Sequence, residues 1–151
     1  MKKLIVLCLT LISLGSFAQN TYTLSSPDKK IVLTYHANKN TYTIAYEGKT
    51  VLRESKLGVV REDEDFSKNL KLVKVSAPTL ISDSYTMLNA KKKNITYKAN
   101  QRIVETATPN GKKMNIIFRV ANDGVAFQYE FPEKSTDVKK ITTEATTFHF
   151  N

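Results

Sequence analysis

Three sets of residues in this 151-residue chain could do chemistry. Asp63, Glu64 and Asp65 form an acidic run whose carboxylates could ligate calcium. Calcium loops alternate their ligands and turn sharply at a glycine, and neither feature is present, so a solvated acidic loop is expected instead. His36 and His149 are the only histidines, and a zinc site would need both together with carboxylates. Glu130 could be one member of the carboxylate pair that cleaves a glycosidic bond. Its position in an alternating segment sets it on the face opposite Phe127, Tyr129 and Phe131, beside Ala126 and Gln128, which predicts a solvent-facing residue. The serines and threonines lack a G-x-S-x-G elbow or an S-x-x-K motif, and there is no P-loop or dinucleotide fingerprint. No catalytic, cofactor-binding or metal-binding residue is therefore assigned.

The elements that would position such residues are all β. From Met114 to Pro132 the chain reads as two alternating strands joined at Asn122-Asp123-Gly124. Met114, Ile116, Phe118 and Val120 share one face of the first, and Val125, Phe127, Tyr129 and Phe131 one face of the second. A two-residue Asp123-Gly124 loop of type I′ would set Phe118 opposite Tyr129. A four-residue loop from Ala121 to Gly124 keeps the same faces together, whereas a three-residue loop would set Phe118 against Gln128 and is excluded on parity. Further strands are expected over Tyr22–Leu24, Ile31–His36, Thr41–Tyr46, Thr50–Leu52, Leu57–Arg61, Leu70–Ser76, Ser84–Leu88, Asn94–Lys98 and Arg102–Thr108. Turn residues punctuate them, no helical period is sustained, and there is no internal repeat. The predicted class is an all-β, mostly antiparallel sandwich in one domain. Thr146 to Phe150 is again an alternation of β-branched and aromatic residues, so the chain is expected to stop inside a strand-rich region, as a fragment or truncated product would.

Residues 1–18 are read as a signal peptide. Lys2 and Lys3 form a positive n-region, Leu4 to Leu14 an apolar core, and Ser16-Phe17-Ala18 a small-x-small cleavage site. An apolar run of about eleven residues is too short for a bilayer span of roughly 20. The domain then runs over 19–151 and is periplasmic or secreted, with no membrane attachment after cleavage. The sole cysteine, Cys8, leaves with the signal segment, which excludes a disulfide framework, a thiol nucleophile and cysteine-ligated zinc. Cleavage also lowers the formal net charge from +9 to +7. The excess is carried by lysines beside turns (Lys29-Lys30, Lys91-Lys92-Lys93, Lys112-Lys113, Lys139-Lys140), with only four arginines. Nucleic-acid reading favours arginine and stacking aromatics, so these lysines are read as solvated turn and edge residues and no nucleic-acid partner is expected.

Five segments, in order, resemble the N-terminal domain of family 97 glycoside hydrolases: Leu24-Ser-Ser-Pro-Asp-Lys-Lys-Ile-Val-Leu33, Tyr46-Glu-Gly-Lys-Thr-Val-Leu52, Ser55-Lys-Leu-Gly58, Asn115 to Pro132, and Thr143-Glu-Ala-Thr-Thr-Phe148. The family usually carries Gly where this chain has Lys29. The resemblance implies part of a β-super-sandwich that packs on a catalytic (β/α)₈ barrel in periplasmic α-glucosidases and α-galactosidases. It implies that the catalytic carboxylates and most calcium ligands lie outside this chain, so calcium is expected in the full-length enzyme and no cofactor in this fragment. The implied partners are that barrel and, weakly or indirectly, an α-linked oligosaccharide. A stand-alone exported sandwich that binds glycan, or an interaction module that uses an unpaired edge, is the alternative.

Overall fold

The computed structural model describes residues 20–88 and 93–151. The signal segment and Cys8 lie outside the described residues, as do Lys91 and Lys92. Among the described residues there are twelve strands, and each of their pairings is antiparallel. The chain is the all-β sandwich its alternation predicts.

The first sheet is a meander of β1 (Thr21–Ser25), β2 (Ile31–His36), β3 (Thr41–Tyr46) and β4 (Lys49–Lys56). Strand β2 shows why it forms: Ile31, Leu33 and Tyr35 are buried while Val32, Thr34 and His36 are only partly covered, the period of a half-buried strand. The β3–β4 turn has Glu47 at φ 46° and Gly48 at φ 78°, the pair of positive φ values that a type I′ hairpin requires.

The β1–β2 turn settles the Lys29 question. Lys29 itself takes the left-handed position, at φ 64°. The turn is laced by the buried Ser26, whose Oγ donates to Asp28 Oδ1 at 2.6 Å and accepts from Ile31 N at 3.0 Å. Asp28 Oδ1 also accepts from Lys30 N, and Asp28 N donates to Asn122 Oδ1 on the neighbouring turn. These bonds impose a conformation that costs a side-chain-bearing residue roughly 1–2 kcal/mol. Lys29→Gly should therefore stabilise the domain by about 0.5–1 kcal/mol, net of the extra freedom glycine has when unfolded, which urea titration can check.

The second sheet has the order β11 (Gly124–Glu130), β10 (Lys113–Ala121), β9 (Asn94–Ala107), β7 (Lys71–Val75), with β8 (Thr79–Thr86) also on β9. Phe118 faces Phe127 and Ile116 faces Tyr129, the register of the four-residue alternative. Ala121 pairs with Gly124, and none of Asn122, Asp123 or Gly124 has positive φ, so the expected Asp-Gly type I′ turn is not formed. Two expected strands are in fact one: β9 runs unbroken through Ala99-Asn100-Gln101. Asn100 and Arg102 interrupt the apolar pattern because they serve the edge of the first sheet. Asn100 Nδ2 donates to Ser25 O at 2.9 Å and Arg102 Nη1 to Thr23 O at 2.8 Å, covering outward carbonyls of β1. Strand β8 begins at Thr79, before the expected Ser84, and β4 runs on past Leu52 to Lys56.

The core lies between these two sheets. Met114, Ile116, Phe118 and Val120 are fully buried, and Phe118 meets Tyr35 with ring centroids 5.8 Å apart. Tyr42 and Phe127 meet edge-on at 5.6 Å. A third, small sheet of β12 (Ile141–Glu144), β5 (Val59–Arg61) and β6 (Glu64–Asp65) sits beside them. Beyond β12 the chain does not continue as a regular strand. Residues 147–151 instead run along β4 through Thr147 N to Lys56 O, Arg53 N to His149 O and Asn151 N to Val51 O, with a bridge between Leu52 and Phe150.

Candidate functional site

The acidic run is a hairpin rather than a free loop, since Glu64 and Asp65 belong to β6. Its first carboxylate serves a buried arginine. Arg61 is 3% exposed; its Nε reaches Asp63 Oδ1 at 2.5 Å and its Nη2 reaches Asp63 Oδ2 at 3.0 Å, a bidentate pair. Its Nη1 reaches Glu133 Oε1 at 2.5 Å. The guanidinium lies 4.7 Å from the centroid of Phe131 and 5.2 Å from that of Phe66, and these two rings meet edge-on. Lys139 and Lys112 add distant positive charge, each 3.9 Å from its carboxylate. The other two acids are also engaged. Glu64 accepts from Asn110 Nδ2, and Asp65 Oδ1 accepts from both the amide and the hydroxyl of Ser67.

Such contacts favour the ionised carboxylates and remove them from proton transfer. The hydrogen bonds from Arg61 hold Asp63 and Glu133 below the ordinary carboxylate range, and the bonds from Ser67 do the same for Asp65. A carboxyl whose pKa is depressed on folding contributes stability above its unfolded value and loses it as pH falls through the folded value. The unfolded values are 3.8 for Asp and 4.5 for Glu. Thermal midpoints should thus be flat from neutral pH to about pH 5 and fall below about pH 4.5, and replacing Glu133 with Gln should flatten that acid limb.

The remaining candidates are dispersed or structural. Glu130 is exposed and its Oε2 accepts from Asn115 Nδ2 at 2.9 Å, the solvent-facing position that alternation predicts. His149 approaches Glu54 on β4, without forming a metal-ligand set there. His149 Nδ1 lies 2.9 Å from the Glu54 carbonyl. The Glu54 carboxylate is already held by Lys39 Nζ at 3.1 Å and Thr41 Oγ1 at 3.0 Å, which lower its pKa. Among the described residues, no three His, Cys, Asp or Glu side chains gather as a metal ion needs. Asp63 and Asp65 do not fit a calcium loop, because their oxygens are aimed at Arg61 and Ser67.

Two of the surface hollows bear on the candidate residues. A polar cleft of about 500 Å³ is lined by Lys39, Thr41, Glu54, Lys56, Lys68 and Thr147 among others, and Glu54 is the one carboxylate in it. A cleft with one neutralised carboxylate has no acid–base pair for glycosidic cleavage. A second hollow, of about 300 Å³, is lined almost wholly by apolar and aromatic side chains where the two sheets part. Sequence reading missed both Arg61 and this groove. An Arg two residues before an acid hints at the Asp63 pair, but Glu133 and the two rings arrive from distant segments. Phe148 and Phe150 stood out only as an alternation near the end of the chain.

Fold and surface together define an antiparallel sandwich domain in which Asp63, Glu64, Asp65, Glu54 and Glu133 are tied into structural bonds. The chain belongs to the family described as Glycosyl-hydrolase 97 N-terminal, whose model matches residues 24–151. It is 27% identical over 122 residues to a probable retaining α-galactosidase of Streptomyces bingchenggensis (strain BCW-1), covering 81% of this chain and 19% of that protein. Among solved structures, a β-arabinopyranosidase superposes with a TM-score of 0.79 at 33% identity, over 86% of this chain and 21% of that one. A glycoside hydrolase family 97 enzyme from Pseudoalteromonas sp. strain K8, in complex with panose, superposes with a TM-score of 0.76 at 26% identity, over 86% and 20%. The chain thus spans about a fifth of the length of these relatives.

Proposed function

We propose that this chain is a non-catalytic supporting domain of an exported glycoside hydrolase that acts on α-glycosides. The observation that carries the reading is the state of its acids. Asp63, Asp65, Glu133 and Glu54 are each committed to an arginine, lysine or hydroxyl partner, and the polar cleft holds a single carboxylate. Family membership supplies the context, since the similar proteins are glycosidases of which this domain is a fifth. In this reading the catalytic barrel, the calcium and the contacts that choose the sugar belong to the rest of such an enzyme. Residues 1–18 direct export to the periplasm or beyond.

Carbohydrate contact is then weak or indirect. Sugar sites combine an aromatic platform with converging polar groups. The polar cleft is lined by no aromatic side chain, and the apolar hollow by almost no polar one. Titrating the chain with panose while following amide chemical shifts should give no saturable change below millimolar concentration. Micromolar binding would make the domain a glycan-binding module in its own right.

A further inference from the structure

The β1–β2 turn and strand β9 border a hollow of about 400 Å³, lined among others by Thr23, Ser25, Lys29, Pro78, Asn100 and Arg102. Its two cations have no acid to face. Arg102 is half-buried; its Nη1 donates to Thr23 O, while its Nε is buried without a hydrogen-bond partner. Among the described residues no carboxylate pairs with Arg102 or Lys29 and none lines the hollow, and residues 1–19 and 89–92 contain no Asp or Glu. Asp28 belongs to the same turn, but its Oδ1 is taken by Ser26 Oγ and Lys30 N. Burial pulls the Arg102 guanidinium below the ordinary arginine range, whereas the buried Arg61 is answered by two carboxylates. The other arginines differ again, since Arg53 is exposed and Arg119 Nε donates to Gln101 Oε1.

Desolvating a charge that has no counter-ion is costly, so such a site is complete when an anion is bound. Lys29 gives a second, independent sign. It holds a left-handed conformation, φ 64°, that glycine would adopt without strain, and strain of this kind clusters at functional sites. What the strain maintains is an ammonium-bearing residue on the wall of the hollow that also holds Arg102. Lysine and arginine together select oxyanions, arginine through its planar fork. A nucleic-acid strand is a poor fit, because no aromatic side chain lines the hollow for a base to stack on. A small ligand fits the volume, and Thr23, Ser25 and Asn100 supply the hydrogen-bonding groups that the hydroxyls of a sugar ring need. We propose that the hollow between the β1–β2 turn and Arg102 is an accessory site for an acidic sugar, whose carboxylate or sulfate ester is held by Lys29 and Arg102. The choice of a sugar rests on the glycosidase context proposed above; the choice of an oxyanion rests on the two cations alone.

The test is titration of the purified chain at low ionic strength with glucuronate, with glucose 6-sulfate and with neutral glucose, following amide chemical shifts. At least one of the acidic sugars should shift amides of residues 23–30 and 100–102 saturably, with a dissociation constant on the order of 1 mM, and glucose should not. Lys29→Gly should melt at or above the parent temperature and yet bind about tenfold more weakly. Arg102→Gln, which keeps a donor for Thr23 O, should abolish saturation. No saturable shift with either acidic sugar, equal binding of glucose, or unchanged binding by Lys29→Gly overturns the site. Acetate or inorganic sulfate bound as tightly as the sugar that carries the same group overturns the saccharide assignment. None of these results touches the supporting role, which glycosidase turnover tests separately.

Discussion

Replacing Gly58 with alanine should destabilise the domain by about 3 kcal/mol, combining left-handed strain with overpacking. Gly58 sits between β4 and β5 at φ 138°, a conformation that L side chains rarely adopt. A Cβ there would stand 2.6 Å from Ser67 Cα and 2.7 Å from Phe66 O, which are backbone atoms and cannot swing aside. Relief would require moving the segment that follows β6, and with it Phe66, which is fully buried. The same glycine is also a junction. Its N–H donates to Tyr129 Oη at 2.8 Å, and its carbonyl accepts from Ala145 N at 3.0 Å and Thr146 Oγ1 at 3.4 Å. Displacing it therefore disturbs the contact between the second sheet, the β4–β5 link and the chain leaving β12. Urea unfolding measures the loss directly. A variant within about 0.5 kcal/mol of the parent, the range of an ordinary surface change, would show that the approach is looser than described.

Arg61→Ala should cost a similar amount, about 3–4 kcal/mol. The substitution removes the bidentate pair with Asp63, the pair with Glu133 and the cation that lies against Phe66 and Phe131, and it leaves a cavity between those rings. The two carboxylates would remain with only the distant Lys139 and Lys112 as partners. Arg61→Met separates the parts of this loss. It restores most of the volume against the rings but not the charge, so it should recover part of the stability, and adding Glu133→Gln should recover more. In a double-mutant cycle, the effects of replacing Arg61 and Glu133 should be clearly non-additive. Strict additivity would mean that Glu133 merely lies near the guanidinium.

How much of this was legible in the sequence varies with the range of the interaction. Strands β2 and β3 were readable to the residue, because alternation and bounding turns are local properties. The β10–β11 faces were equally clear, yet the turn that joins them was not. Asn122 is occupied in accepting from Asp28 N, a residue 94 positions away, and that contact does not follow from an Asp-Gly signal. Strand β9 read as two strands because Asn100 and Arg102 interrupt its apolar face, and only the neighbouring edge of β1 explains why polar groups belong there. The acidic run shows the same limit. Asp63, Glu64 and Asp65 are adjacent in sequence, but they face three separate partners, and the partner that matters most, Arg61, is completed by Glu133 from a segment 72 residues later. The family resemblance was legible because its segments follow one another in order along the chain. The open groove was not, since it exists only where β4, β11 and residues 147–151 come together.

The central claim is that this domain supports catalysis without performing it. The most direct measurement is release of p-nitrophenol by the purified chain from p-nitrophenyl α-glucoside and α-galactoside, with and without added calcium. No turnover above buffer should be seen under either condition. Steady turnover that disappears when Glu54, Asp63 or Glu133 is replaced by its amide, in a variant that still melts cooperatively, would contradict the account.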